Sequence, residues 1–467
     1  MAHPAEHPTS PPSRVASFGA LRTSVARLFM HSGMLGWGNS GWPGGEATRL
    51  RQRIERLVPG DASRASEMYA ARFGHGKSET LGQLGWLKHF TSSGKALHAL
   101  YASELIRKWS LEDQSGQAGG PAAMSLIALC VDGFDLAAKG PMAFAADYLQ
   151  IVTRQVRKVF AWQPAVPEEK LLRAIALTHA LVSMQGFEAI RPRLKDAFDA
   201  TLPDIVLSDG GVQDGSPESL LRLTLQVLPL RTAMQATREA IPASLNSAIE
   251  RMLPMLRMLR HDNGNLAGLR GSGPHPEATA IALAADDIEG TSLSLARQSG
   301  FARLHSGHAT LIADTTPQSG FAFELSIAGH QVFVSSHTPA VALRRLATES
   351  PAELLHVEEG QLLITGARLR NISVQRNVFM AEGGTDIRIE DSAEDTVQAF
   401  SVNITCQPDV DFVVHDDAAV LTLPDGSHWR LRLHGASLHK SHAGHSLIMI
   451  ATPVDGSCSI TWALQKI

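Results

Sequence analysis

HDNGNLAGLRGSGPHPEATAIALAADDIEG, residues 261–290, is where the character of this sequence changes. Before it, apolar residues recur three and four apart, as in IERMLPMLRMLR (249–260). After it they alternate, as in ATLIAD (309–314) and HWRLRLHG (428–435), and Gly and Pro-Asp-Gly turns break the runs. A long helical block followed by a long strand block implies two separate layer systems, not one interleaved α/β sheet. The seam between such domains is a common place for a large-substrate cleft.

Upstream, from residue 46, helix follows helix. PAAMSLIALCVDGFDLAAK and PMAFAADYLQIVTRQVRKVFAW each open on a proline at a helix-start position. EEKLLRAIALTHALVSM, FEAIRPRLKDAFDATL, PESLLRLTLQVLPLRTAMQATREA and PASLNSAIERMLPMLRMLR continue the series. About ten helices in consecutive antiparallel pairs predict an α/α toroid or incomplete barrel over 44–290. Pro229 and Pro254 sit inside helical patterns and are expected to kink them or mark boundaries. Residues 1–43 read as a flexible tail.

Downstream, alternating runs at 309–314, 320–327, 330–336, 371–380, 385–391, 396–404, 411–416, 418–424, 428–435, 446–453 and 458–466 predict an antiparallel β-sandwich over 291–467. Residues 338–360 are the least regular part. The expected fold is therefore multidomain, helices first and strands second.

The totals bound the function. A chain of 467 residues exceeds one ordinary core. Its net charge of −4 gives no global pull toward nucleic acid or an anionic membrane. No apolar run reaches the length of a membrane-spanning helix. The N-terminus lacks an apolar segment followed by a small-residue cleavage site, which predicts a cytoplasmic location. Cys130, Cys406 and Cys458 are odd in number and widely spaced, so no disulfide framework or cysteine-rich zinc site is expected. Buried free thiols are the reading, with a Cys406–Cys458 bridge left open. No cofactor and no metal site is expected: His434, His439, His442 and His445 cluster in SLHKSHAGH without carboxylates or cysteines at ligand spacing, and read as a solvated turn.

Among local motifs, LSDGGVQDGSPESLL (207–221) stands out. Ser216 followed by Pro217 is a helix start, a hydroxyl cap before a proline in the first turn. Asp209 and Asp214 punctuate the Gly-rich loop before it. This is a helix-hairpin turn or a polymer-facing rim. The PQSGFAFELSIAGHQVFVSS segment (317–336) alternates Phe321, Phe323 and Leu325 on one strand face before a turn into His330. His179, in ALTHALVSM, reads as a buried, satisfied histidine. Trp37 and Trp42 lie in a Gly-rich segment where they could meet a sugar or pin the tail.

Taken in order, LVPGDASRASEMYAARF (57–73), DGGVQDGSPE, IERMLPMLRMLRHDNGNLAGLRGSG (249–273), SGFARLHSGHATLIADT (299–315), GFAFELS and the PDV…LPDGSHW…ITWAL tail resemble the bacterial heparinase II/III family of polysaccharide lyases. The likeness covers most of 45–467. It implies an α/α toroid, a β-sandwich, and β-elimination of a uronate-containing acidic polysaccharide without water or cofactor. It also implies the periplasm or cell envelope as an alternative location.

Such chemistry removes a proton from the carbon beside the uronate carboxylate, so the developing charge must be stabilised by donors or a cation. A His or Tyr must act as base, and a Tyr or His must protonate the leaving oxygen. The chain departs from the family pattern at several polar positions: Val212 follows Asp209-Gly210-Gly211 where relatives have His, and Gln318-Ser319-Gly320 stands where many have His-Ala-Gly. Ser299-Gly300-Phe301 replaces Ser-Gly-Tyr. The remaining candidates are Tyr148 as acid, with His305 and His337, from the crowd His305, His308, His330 and His337, as bases. Asp209, Asp214, Ser216, Asn265 and Gln318 are candidates for substrate binding. The alternative is a catalytically degenerate relative that binds a polysaccharide or a protein in exopolysaccharide or envelope metabolism. The sugar, the linkage and the oligomeric state are not written in the sequence.

Overall fold

The structure, a computed structural model, describes residues 119–133, 142–184, 190–284, 292–316, 322–337, 353–358, 361–369, 372–394, 400–441 and 445–467. The tail, the helices expected between 46 and 118, Trp37, Trp42, Gln318 and His442 lie outside the described residues. The chain divides into two compact units. One comprises Met1–Leu207, Leu221–Leu253 and Ala280–Glu289. The other comprises Ser208–Leu220, Pro254–Thr279 and Gly290–Ile467.

The first half is helical. The described helices are α1 (Gly120–Ala128), α2 (Met142–Ala161), α3 (Pro167–Ser183), α4 (Arg191–Ile205), α5 (Pro217–Thr237), α6 (Ala243–Met258) and α7 (Pro276–Ala284). Helix α3 shows why these segments form. Pro167 occupies the first turn with Glu168 and Glu169, whose charges suit the positive helix start. Leu171, Ile175 and Ala174 bury one side, and Leu177 and Leu181 extend it. Arg173 donates to the carbonyls of Val159 (3.1 Å) and Phe160 (3.0 Å), satisfying the open end of α2. Pro229 and Pro254 lie inside α5 and α6, so they are not boundaries. The continuous helix expected after Pro121 instead widens into a π turn at Leu129–Gly133. No described helix is long and apolar enough to cross a membrane.

The second half is two antiparallel sheets. Numbered in chain order, the strands include β1 (Leu295–Ala296), β6 (Glu353–Glu358), β7 (Gln361–Leu369), β10 (Phe400–Cys406), β11 (Asp411–His415), β14 (Ser437–Lys440) and β15 (Ser446–Ala451), with the others given below; sheet one has the order β1-β2-β3-β4-β5-β10-β15-β14, and sheet two β11-β12-β13-β16-β9-β8-β7-β6. The strands that matter below are β2 (Phe301–Ser306), β3 (Ala309–Asp314), β4 (Phe323–Ile327) and β5 (His330–His337). In sheet two they are β8 (Ile372–Met380), β9 (Asp386–Glu394), β12 (Ala418–Thr422), β13 (His428–His434) and β16 (Ser457–Lys466). The inner faces share one core: Leu304, Leu311, Leu325 and Phe333 from sheet one meet Ile389, Leu421, Leu431 and Trp462 from sheet two. Phe323 stacks on Trp462 at 6.3 Å, and Phe333 meets the same indole edge-on at 6.1 Å.

Two expectations are corrected here. Residues 353–358 and 361–369 are strands, although the first lies in the stretch read as least regular. The SLHKSHAGH turn begins as strand β14 (Ser437–Lys440), with His439 bonded to Ser437 at 2.9 Å. The cysteines are free and buried, as the sequence reading has them, and the Cys406–Cys458 bridge it left open does not form. Burial pushes the Cys130 and Cys406 thiols up to about 12. No group of three metal-ligating side chains occurs among the described residues.

Candidate functional site

Strand β3 is buried at every position, so sheet one is covered on both faces. Its inner face is apolar. The outer face of β2–β4 carries Phe301, Arg303 and His305, then Thr310, Ile312 and Asp314, then Glu324 and Ser326, because residues two apart share a face. Register places His305 opposite Thr310, Thr310 opposite Ser326, and Ser326 opposite Gln331. One polar row thus crosses four strands, about 14 Å.

Residues 258–272 cover this face through polar contacts. His261 bonds Ser326 through Nδ1 (2.9 Å) and Glu324 through Nε2 (2.9 Å), and all three side chains are buried. Gly268 N donates to Glu324 Oε1 at 3.0 Å. A side chain at 268 would approach that oxygen to 3.0 Å, which is why glycine stands there. Asn265 Nδ2 donates to Gln331 Oε1 at 2.8 Å. Arg270 forks onto Asp314 with Nε (2.7 Å) and Nη2 (2.9 Å), and also donates to Gly215 O (2.9 Å) and Ser299 O (2.8 Å). Its guanidinium lies 4.2 Å from the Phe301 ring centre.

One side chain of this face reaches solvent with a chemical handle. His305 is exposed, and its Nδ1 lies 2.9 Å from Thr310 Oγ1. The Thr310 hydroxyl donates to Asp262 Oδ2 at 3.1 Å. A hydroxyl has one proton, so Thr310 accepts from His305, and Nδ1 carries the hydrogen. In the neutral ring this puts the lone pair on Nε2, which has no partner among the described residues. Arg303 Nη2 completes the Thr310 oxygen at 3.5 Å and pairs with Asp262 at 3.4 Å. Burial draws the Arg303 and Arg260 guanidiniums below their ordinary value, while Asp262 pulls both the other way. The result is an imidazole whose neutral tautomer is fixed, beside a half-buried cation, able to accept a proton from an anionic ligand.

The other sequence candidates are placed as follows. Asp209 Oδ2 accepts from Gln298 N (2.7 Å), Ser299 N (2.8 Å) and Ser299 Oγ (3.0 Å), so it clamps its loop to the turn before β2. Asp214 accepts from Ser216 N at 2.9 Å. Ser216 caps α5 through Ser219 N (3.4 Å) and meets Ser272 Oγ (3.3 Å). Tyr148 belongs to the other unit; it is fully buried and donates to Leu129 O at 2.9 Å. His179 is buried and donates to Gln226 O at 3.3 Å. His337 ends β5 opposite Asn403. The structure therefore brings His305 and Asn265 onto one face, and Asp209 and Ser216 into the Arg270–Ser272 neighbourhood. Sequence reading passed over Asp262, Arg270, Arg303, Thr310 and Glu324. For Arg303 and Glu324 the signal was the alternation of polar residues along FARLHS and FELS, legible once β2 is taken as a strand; Asp262 and Arg270, in the segment between helix and sheet, carried none.

With this geometry in hand, solved structures can be compared. Heparinase III superposes with a TM-score of 0.62 at 11% identity, covering 89% of this chain and 86% of that one. Heparan sulfate lyase HepC from Pedobacter heparinus gives 0.55 at 15% identity, over 100% and 85%. The chain has the fold of heparan sulfate lyases. At these identities the likeness is one of fold. No family model matches the chain. A curated relative, FtsZ-localized protein C of Caulobacter vibrioides (strain NA1000 / CB15N), is 33% identical over 186 residues, which are 39% of this chain and 32% of that protein. The match thus spans about a third of the relative's length.

Proposed function

We propose that this chain is a heparinase II/III-like protein that cleaves a uronate-containing acidic polysaccharide by β-elimination, with His305 as the base. The observation that carries the reading is the Asp262–Thr310–His305 chain, which turns the Nε2 of an exposed imidazole outward as the acceptor of the neutral ring in a lyase-type fold. On this reading the helices form an arc of an α/α toroid and the two sheets a β-sandwich.

Nε2 takes the proton from the carbon beside the uronate carboxylate. The C–H electron pair becomes the new C=C bond, and the glycosidic C–O bond breaks. The imidazolium so formed returns its proton to the leaving oxygen, which leaves the base as it began. This route uses no second acid, and Tyr148 has its hydroxyl engaged with Leu129. Arg303 supplies positive charge two hydrogen bonds from the imidazole, through the Thr310 hydroxyl. The test is ultraviolet absorbance of the conjugated product during incubation with heparin, alginate or hyaluronan. His305→Ala abolishes the signal. A native chain that produces none on these or on the host's own acidic polysaccharide refutes the reading.

A second reading is a non-catalytic relative that binds a glycan or a protein in the cell envelope. The similarity to FtsZ-localized protein C favours it, as does the loss of family-type polar residues at Val212 and Phe301. Binding of an acidic polysaccharide without product would select it.

A further inference from the structure

We propose that the outer face of sheet two carries a docking track for an acidic polysaccharide, centred on strand β13 and distinct from the His305 site. For the nature of the polymer this rests on the function proposed above. Strand β13, HWRLRLH, buries Trp429, Leu431 and Leu433 in the core. Strict alternation then turns His428, Arg430, Arg432 and His434 to the other face, where three are exposed and Arg430 is half-buried. Four basic side chains stand in a row about 7 Å apart, spanning about 20 Å.

The flanking strands leave this row clear. Arg432 stands between Ala418 of β12 and Ala463 of β16, and Arg430 between Val420 and Gln465. None of these neighbours is acidic, and the two alanines leave a depression of about 460 Å³ against Arg432 and His434. Arg430 and Arg432 make no ion pair among the described residues. Arg388, on the next strand, differs: it donates to Asp386 at 2.7 Å and is neutralised there. Asp417 at the rim of the depression and Glu390 on β9 bound the positive strip.

The surroundings select a glycan. β13 is an interior strand whose backbone is paired on both sides, so an acidic peptide cannot add to it as a further strand. Among the described residues no aromatic on the strands beside β13 is exposed: the exposed ring of Phe379 lies on β8, three strands away, with the Arg388 guanidinium 5.9 Å from its centre, so the row offers bases no stacking platform of the kind single-stranded nucleic acid requires. Thr461 and Gln465 instead offer hydroxyl and amide groups beside the guanidiniums, a donor and acceptor set for sugar hydroxyls between carboxylates or sulfates.

The test measures binding of labelled heparin to the full chain by fluorescence anisotropy over a range of salt. R430Q/R432Q is expected to weaken binding about tenfold or more at low salt, and to reduce the slope of log affinity against log salt by about two, one per charge removed. K195Q, at an exposed lysine on α4, leaves both unchanged. H305A retains heparin binding while losing elimination, and R430Q/R432Q retains elimination of short oligosaccharides, so the two proposals fail separately. Unchanged affinity and slope in R430Q/R432Q overturn the track. Equal affinity of the native chain for polyglutamate or single-stranded DNA overturns the glycan assignment. A measurement on the unmutated chain stands beside these: heparin shields Arg430 and Arg432, and not Arg193, from phenylglyoxal. Equal modification with and without heparin overturns the proposal.

Discussion

Replacing Arg270 by alanine tests how the covered face of sheet one is held. Asp314 is fully buried, and its Oδ2 accepts from Arg270 Nε at 2.7 Å. Its Oδ1 keeps Thr316 N (2.9 Å) and Thr316 Oγ1 (2.7 Å) when the arginine goes. Alanine removes both arginine donors and the counter-charge from a buried carboxylate, a loss of about 3–5 kcal/mol when one partner of a buried pair is removed. The carbonyls of Gly215 and Ser299 each lose a donor, worth about 1 kcal/mol apiece for neutral groups. Arg270 itself is a fifth exposed, so water recovers part of this. The expected cost is about 4 kcal/mol, roughly a thousandfold in the opening equilibrium of these strands. Hydrogen exchange read on peptides from 301–316 measures that opening directly and does not require the whole chain to unfold in one step. R270K retains the charge without the fork and falls about midway. A double-mutant cycle with D314N should show coupling of about 2 kcal/mol or more. Exchange in R270A within tenfold of the native chain, or R270K equal to native, would refute the assignment of this pair as the clamp.

Further outcomes follow from the same contacts. Thr310→Val keeps shape but cuts the link between Asp262 and His305, and is expected to lower elimination about a hundredfold while heparin binding holds; equal loss of both in a folded variant would show that Thr310 serves packing alone. Gly215→Ala puts a methyl 1.5 Å from Arg270 Nη1 at a φ of +68°, and should open 301–316 much as R270A does, with little added effect in the double variant. Cys130 and Cys406, raised from 9.0 to about 12 by burial, should resist iodoacetamide at pH 8 until the chain is denatured. Their folded values exceed the unfolded ones, so their stabilisation is complete below pH 9 and lost as pH rises through 12; a denaturation midpoint that holds from pH 8 to 11 contradicts this. Asp391→Asn leaves buried Arg376 without its counter-charge and should destabilise sheet two by about 3–5 kcal/mol, read as a lower urea midpoint.

What the sequence made legible follows from where the information sits. Strand β13 could be read because Trp429, Leu431 and Leu433 alternate with polar residues in one unbroken run. β2 was passed over because its inward side chains include the small Ala302, while Arg303 and His305 dominate its outward side. β14 has one inward apolar residue, Leu438, and its histidines masked the pattern. The loop 207–216 could be read as a loop with a helix cap, and Ser216 does cap α5. Its attachment could not be read: Asp209 finds its partners 89 and 90 residues away, and Arg270 reaches Gly215 across 55. His305 was legible as a titratable residue at the first strands. The tautomer that makes it a base was not, since it depends on Thr310 by register and on Asp262 from a segment 48 residues from Thr310.

The same face explains why only one of its two histidines is available for chemistry. His261 and His305 both contact a hydroxyl of the polar row, Ser326 in one case and Thr310 in the other. His261 spends its second nitrogen on Glu324, with no exposed surface at either side chain beyond a few per cent. A proton taken up there has no ligand to come from, and the group acts as a fastener between residue 261 and β4. Arg270 does the same work at the other end of the segment, and does so from a backbone φ of +55° that costs a non-glycine residue about 1 kcal/mol. That strain persists because four hydrogen bonds hold the side chain in place. Between these two fasteners, Asp262 is fixed where it must be to orient Thr310, and through it His305. Loosening either fastener should therefore cost the His305 chemistry without any change in the residues that touch the glycan, whereas a base placed by its own strand alone would be indifferent to both.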